Sequence, residues 1–247
     1  MNNARMTTEH MIASLENGLI VSCHAEEMGD GDGFDALRYF AHAAIEGGAA
    51  GLRLEGAARI RAVRGMTKLP LVGFVQGSYA DGSALITPTL DDIAALIDAG
   101  ADIVAIDATK RKRPGDIDGF IFFEQARKRF NTPLWADVAN FREGVRAAEM
   151  RADVVATTLA GYTPGTVVED YRTPDFTLIR ELASALTIPV IAEGRIWSPE
   201  DARQCTLLGA HAVVVGSAIT RPQVIARMYV ESLQQDHPAP EGGDLSA

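Results

Sequence analysis

The sequence predicts an α/β protein closed into a single-domain (β/α)8 TIM barrel over residues 1–233, with 234–247 as a disordered tail. Three observations carry this expectation. Eight short apolar runs rich in Val and Ile recur along the 247 residues; they are mostly continuous rather than alternating, as strands buried on both faces require. Their starts fall into two alternating kinds. Stretches with an apolar period near 3.6 lie between them. About 250 residues is the usual size of such a barrel.

The runs occupy 19–23, 51–54, 71–75, 103–106, 134–138, 154–158, 190–192 and 212–215. Those at 51, 103, 154 and 212 follow Gly48-Ala49, Gly100-Ala101, Arg151-Ala152 and Gly209-Ala210. Glycine there reads as the left-handed cap of a preceding helix. Those at 71, 134 and 190 follow Pro70, Pro133 and Pro189, a position where proline removes no ladder bond. The alternation makes the repeating unit strand–helix–strand–helix. Residues 35–46 place Leu37, Phe40, Ala41, Ala44 and Ile45 on one helical face. Leu90-Asp91-Asp92-Ile93 opens a helix with acids in its first turn, where the dipole favours them. Ser198-Pro199-Glu200 reads as an N-cap, a first-position proline and an acid. A doubly wound open sheet is the alternative. It would need a glycine-rich pyrophosphate turn after the first strand, but Gly29-Asp30-Gly31-Asp32-Gly33 is acidic. We read 26–32 as a lid or linker, since it lacks the ligand spacing of a calcium loop.

Composition narrows the function. Lys and Arg number 23 against 33 Asp and Glu, a formal net charge of −10, which argues against a nucleic-acid surface. No apolar run approaches the ~18 residues of a membrane span, and the start lacks a secretory h-region. Cys23 and Cys205 are too few for a disulfide framework. The expectation is a cytoplasmic protein without nucleic-acid or membrane partners. His10, His42, His211 and His237 show no metal-ligand spacing, so neither metal nor cofactor is expected.

In a barrel the chemistry lies where strands end. Those exits read His24, Arg53, Gln76, Asp107, Asp137, Thr157-Thr158, Glu193 with Arg195, and Gly216-Ser217. Nearly every one is polar or ionisable. Gly194, Gly216, Ser217 and Arg221 suggest a phosphate site on the last two exits, with a short helix from Ser217 aimed at it. Glycines there could merely make tight turns; two of them, each near an arginine, favour the anion. Arg53 and Glu193 end apolar runs and would bury charge at a cost of several kcal/mol unless paired, so a structural ion pair competes with a substrate role. Asp107 and Asp137 could orient loop amides. Lys110-Arg111-Lys112-Arg113 reads as a solvated loop beside an anionic ligand.

Six stretches resemble the N-acetylmannosamine-6-phosphate 2-epimerase family: GLIVSC from Gly18, IDATKR from Ile106, ATTL from Ala156, GYT from Gly161, IAEGRI from Ile191 and VGSAITRP from Val215. The resemblance implies a TIM barrel that binds an amino-sugar 6-phosphate and inverts C2 without metal or nucleotide. By it Glu193 is a proton-transfer carboxylate, Arg53, Asp137 and Arg195 are substrate-contacting, Arg221 belongs to the phosphate site, and a homodimer is plausible. The chain departs from the pattern at the reacting end. The family lysine that ends strand three, a proton carrier, is Gln76; the glutamine that ends strand one is His24; and Ala139-Asn140 and Ala160 replace family serine and threonine. Losing a positioned acid–base group costs about 10²–10⁴-fold in rate. Compensation is one expectation: His24, with a pKa near 6.5, takes over the lysine's role while Gln76 polarises the carbonyl. A packed strand-end histidine is the other. Three functions compete: the epimerase, another sugar-phosphate isomerase, epimerase or lyase on the same cradle, and a non-catalytic sugar-phosphate-binding protein.

Overall fold

Every apolar run is a strand of one closed parallel barrel in the computed structural model, which describes residues 7–24, 33–169 and 171–235. The strands are β1 Leu19–Ser22, β2 Gly51–Glu55, β3 Leu71–Phe74, β6 Ile103–Asp107, β7 Leu134–Asp137, β8 Val154–Ala156, β9 Val190–Glu193 and β10 Ala212–Val215. Between β3 and β6 lies a two-stranded hairpin of β4 Gln76–Ser78 and β5 Ala84–Ile86. Around the barrel the order is β1-β10-β9-β8-β7-β6-β3-β2. Pairing of β1 with β10, Leu19 opposite Val213, closes it and excludes the open sheet.

The helices are α1 Thr8–Ala13, α2 Phe34–Glu46, α3 Ala57–Arg64, α4 Leu90–Asp98, α5 Gly119–Arg129, α6 Phe141–Glu149, α7 Phe176–Ala185, α8 Pro199–Leu207, α9 Ser217–Thr220 and α10 Pro222–Gln235. Thr89 with Asp92 and Ser198 with Asp201 form full capping boxes on α4 and α8. The two kinds of strand start have separate physical origins. Gly48, Gly100 and Gly209 take φ of 86°, 102° and 98°, and Arg151 is held at 65° in the same place. Pro70, Pro133 and Pro189 each offer a carbonyl to the neighbouring strand, accepting from Leu52, Val104 and Val155 at 3.0 Å.

Side-chain alternation then sorts inside from outside. Ile20, Val72, Ile103, Trp135, Val154, Ile191 and Ala212 fill the barrel, and Met11, Ile12 and Leu15, in and just after α1, pack on the same cluster. Two residues further along their strands stand Ser22, Phe74, Asp137, Glu193 and Val214. Asp137 and Glu193 therefore face into the barrel, with Arg53 in register with Ser22 on the neighbouring strand, and a one-residue slip in register would turn them out.

Two expectations change. Gln234 and Gln235, assigned to the tail, belong to α10, while 236–247 and the acidic loop 26–32 lie outside the described residues. Half of the basic run, its two arginines, is turned inward. Arg111 bonds Ser83 Oγ at 2.7 Å, the Ala84 carbonyl at 3.0 Å and Asp107 Oδ2 at 2.8 Å. Arg113 is buried against the Asp107 and Ile86 carbonyls. Both thus tie the β4–β5 hairpin to β6, while Lys110 and Lys112 are exposed, Lys112 pairing with Asp116. Asp107 does orient a loop amide, that of Thr109 at 2.9 Å. Cys23 and Cys205 are buried and unpaired, with burial pushing both thiols up to about 12. Among the described residues, no helix is long and apolar enough to cross a membrane.

Candidate functional site

Arg53 is the centre of the inward layer. It rises from β2, is 2% exposed, and lies with its guanidinium 4.7 Å from the Phe74 ring centroid and 5.7 Å from that of Trp135. Asp137 on β7 takes it with both oxygens, Nη2 to Oδ2 at 2.7 Å and Nη1 to Oδ1 at 3.2 Å. Glu193 on β9 takes the edge, Nη1 to Oε2 at 3.1 Å. Trp135 Nε1 donates to Asp137 Oδ1 at 2.9 Å. Strand alternation puts Trp135 beneath Asp137, two residues along one face. Thr158 Oγ1 stands 2.6 Å from Asp137 Oδ1 and 3.0 Å from Glu193 Oε2. Thr157 pins the Glu193 main chain, accepting from its N–H at 3.1 Å and donating to its carbonyl at 2.9 Å.

One guanidinium thus serves two carboxylates. Asp137, with four donor contacts, is the better satisfied. Burial raises the Glu193 carboxyl to about 7; Arg53 and Thr158 pull against that shift and Asp137 adds to it. His24 moves the other way, lowered to about 4 by burial and by Arg221, Arg53 and Arg59. The expected value near 6.5 does not hold, because burial disfavours the imidazolium and the nearby charges acting on it are cations.

Above this layer opens a cavity of about 270 Å³ whose wall includes His24, Arg53, Gln76, Glu193, Gly216 and Arg221. Ser217, Gly194 and Arg195 line it as well, with Thr158, Tyr162 and Trp197. Gly216 is required by close approach: a Cβ there would stand 2.6 Å from His24 Nε2. After β9 the chain turns on Gly194 and Arg195, at φ of 106° and 59°. That turn sends Arg195 away from Glu193, toward the Thr173 carbonyl at 2.7 Å and the Ala160 carbonyl at 3.0 Å. No group of His, Cys, Asp and Glu among the described residues is placed to hold a metal ion.

Comparison with known proteins agrees with this arrangement. The family model described as "NanE: Putative N-acetylmannosamine-6-phosphate epimerase" matches residues 37–235. The chain belongs to this family. Two similar members, from Caldanaerobacter subterraneus subsp. tengcongensis and Clostridioides difficile, both bear the name "Putative N-acetylmannosamine-6-phosphate 2-epimerase". They are 40% and 38% identical, each over 91% of this chain and over 94% and 99% of their own lengths. The solved structure of the N-acetylmannosamine-6-phosphate 2-epimerase from Clostridium perfringens superposes with a TM-score of 0.82, at 35% identity, covering 94% of this chain and 100% of that one.

The other two expected substrate contacts, Asp137 and Arg195, sit differently relative to the cavity. Asp137 is fully buried beneath Arg53 and does not reach the cavity; it acts through Arg53 and Thr158. Arg195 lines the cavity, and its Nε and Nη1 also donate to the Thr173 and Ala160 carbonyls of the segment after β8. Arg53 is an ion-pair partner that also forms part of the cavity wall. Thr158 and Trp135 were not picked out as site residues. Their signals were present, a tandem threonine at an exit and a tryptophan two residues before an aspartate.

Proposed function

We propose that the chain interconverts N-acetylmannosamine 6-phosphate and N-acetylglucosamine 6-phosphate by proton transfer at C2. The observation that carries this reading is one cavity whose wall brings Glu193, His24, Gln76 and Arg221 together; burial there raises the Glu193 carboxyl and lowers the His24 imidazole, favouring a protonated acid beside a neutral base. Environments that push two titratable groups apart define an acid and a base.

Gly194, Gly216, Ser217 and Arg221 receive the phosphate, which fixes the sugar's far end. Gln76, whose amide can donate a hydrogen bond but cannot carry a proton, polarises the C1 carbonyl of the open-chain form. His24 removes the C2 proton, the electrons pass into the C1–C2 enolate, and the Glu193 carboxylic acid returns a proton to the opposite face. The turnover leaves imidazolium and carboxylate, the pair that the reverse reaction requires. The dianionic phosphate supports this exchange, because it offsets the Arg221 charge that otherwise keeps His24 neutral.

Incubation with N-acetylmannosamine 6-phosphate in heavy water tests the proposal, with proton NMR at C2. Deuterium should enter C2 as the second epimer appears. Binding without any exchange would favour the competing reading, a sugar-phosphate-binding protein without turnover, which the loss of lysine at Gln76 supports. A cytoplasmic setting and a homodimer complete the proposal, the latter supported by exposed Tyr229, Val230 and Leu233 on α10.

A further inference from the structure

Thr158 presents one hydroxyl hydrogen to two carboxylate oxygens. Its oxygen is within hydrogen-bond reach of both, 2.6 Å from Asp137 and 3.0 Å from Glu193, yet a hydroxyl donates once. The neighbouring donors do not remove the conflict. Arg53 and Trp135 serve Asp137, and Arg53 Nη1 serves Glu193 as well. Charge decides the matter. Two ionised carboxylates against one buried guanidinium leave a net negative charge, which burial disfavours. A proton on Glu193 makes the cluster neutral; the Thr158 hydrogen then points to Asp137 along the shorter contact, and the hydroxyl oxygen faces Glu193 as an acceptor. Once Glu193 ionises, the same hydrogen is worth more on Glu193, since Asp137 keeps its Arg53 and Trp135 donors.

We infer that Thr158 is a positioning residue for Glu193: its hydroxyl hydrogen swings from Asp137 to Glu193 when Glu193 gives up its proton, and swings back when the proton returns. Only a rotation about the C–O bond is needed, because Thr157 holds the Glu193 main chain in place throughout. The swing delivers a charge-assisted hydrogen bond at the moment the carboxylate forms. The other charged and titratable groups facing Glu193 are Arg53 from β2, Asp137 from β7 and Tyr162 from the segment after β8. Arg53 and Asp137 are held by further contacts to each other and to Trp135, so the response is assigned to the hydroxyl. This inference rests on Glu193 being the proton-transfer group, and its test separates the two ideas.

The experiment titrates the Glu193 carboxyl by carbon NMR in protein labelled at glutamate carboxyls, with Glu193→Gln identifying the resonance. Thr158→Val keeps the shape and removes the hydroxyl; the Glu193 midpoint should rise by about one pH unit. The pH profile of kcat for C2 exchange should move the same way with KM unchanged, and Thr158→Ser should restore both. A Thr158→Val midpoint that superposes on the parent's, or a folded Thr158→Ser that fails to restore it, would overturn the inference. If Glu193→Gln turned over normally while Thr158→Val still moved the titration, the hydroxyl swing would stand and the catalytic reading of Glu193 would fall.

Discussion

Arg53 and Asp137 form a two-pronged ion pair inside the barrel, with contacts of 2.7 and 3.2 Å and side-chain exposures of 2% and 0%. The fork geometry suits a guanidinium and no other cation. Asp137→Ala leaves Arg53 only its Glu193 contact and strands the buried Trp135 N–H, so it should lose about 1–3 kcal/mol of stability, read from urea denaturation. Arg53→Lys keeps the charge and loses the fork. It should fold, and its kcat/KM should fall by about 10²-fold as Glu193 and the substrate lose their alignment; unchanged kinetics would show that the fork is only structural.

Glu193→Gln should lower kcat by about 10²–10⁴-fold, the usual worth of a positioned acid, while leaving affinity for the sugar phosphate intact. Glutamine copies the neutral, protonated side chain, so the variant should be no less stable than the parent at pH 8. Isothermal calorimetry together with deuterium exchange at C2 reads both quantities.

Stability should depend on pH through two opposed groups. Glu193 is raised in the folded state from 4.5 to about 7, so the folded protein binds the extra proton between those values. Its contribution is full below pH 4.5 and is lost as pH rises through 7. His24 is lowered from 6.5 to about 4; its contribution is full above pH 6.5 and is lost as pH falls through 4. Between pH 4.5 and 6.5 the slopes oppose. Melting temperatures should therefore fall with rising pH in His24→Gln and rise with pH in Glu193→Gln. Parallel curves for the two variants would contradict the assignment.

Phosphate should couple to His24. An anion at Arg221 offsets part of the charge that disfavours the imidazolium, so sugar-phosphate binding near pH 5.5 should leave the parent holding more protons than His24→Gln, over and above the phosphate's own release, its second pKa being about 6. Calorimetry in buffers of different ionisation enthalpy measures the difference, and equal proton linkage in parent and variant would contradict the coupling. Arg221→Ala should weaken binding by about 10- to 150-fold, the equivalent of one charge-assisted hydrogen bond of about 1.5–3 kcal/mol.

Gly161 holds φ at 87°, and a Cβ there would collide with Arg195 Nη1. Gly161→Ala should therefore break the Arg195 bonds to the Ala160 and Thr173 carbonyls and cost about 1–3 kcal/mol through overpacking. Limited proteolysis should find new cleavage between residues 160 and 173. A variant as resistant as the parent would show that Arg195 does not brace this segment.

The repeat of apolar runs, the glycine and proline starts and the capping sequences determined the barrel, because each is a local consequence of backbone sterics and hydrogen bonding. Gly48, Gly100, Gly209, Pro70, Pro133 and Pro189 act within a few residues of themselves, so their meaning is readable in one dimension. The polar exits were readable for the same reason: strand alternation assigns them to the inward layer. The β4–β5 hairpin escaped, since its stability comes from Arg111 and Arg113 some 25 residues further along the chain.

What only the tertiary structure decided is which charges meet. Arg53, Asp137, Thr158 and Glu193 come from four separate stretches of chain, and sequence spacing says nothing of their distances. Nor could it give the direction in which His24 and Glu193 titrate, which depends on burial and on the nearest charges across the barrel. Local sterics are written in neighbouring residues. Electrostatic environment is a sum over everything the closed barrel brings close, and it exists only once β1 has met β10.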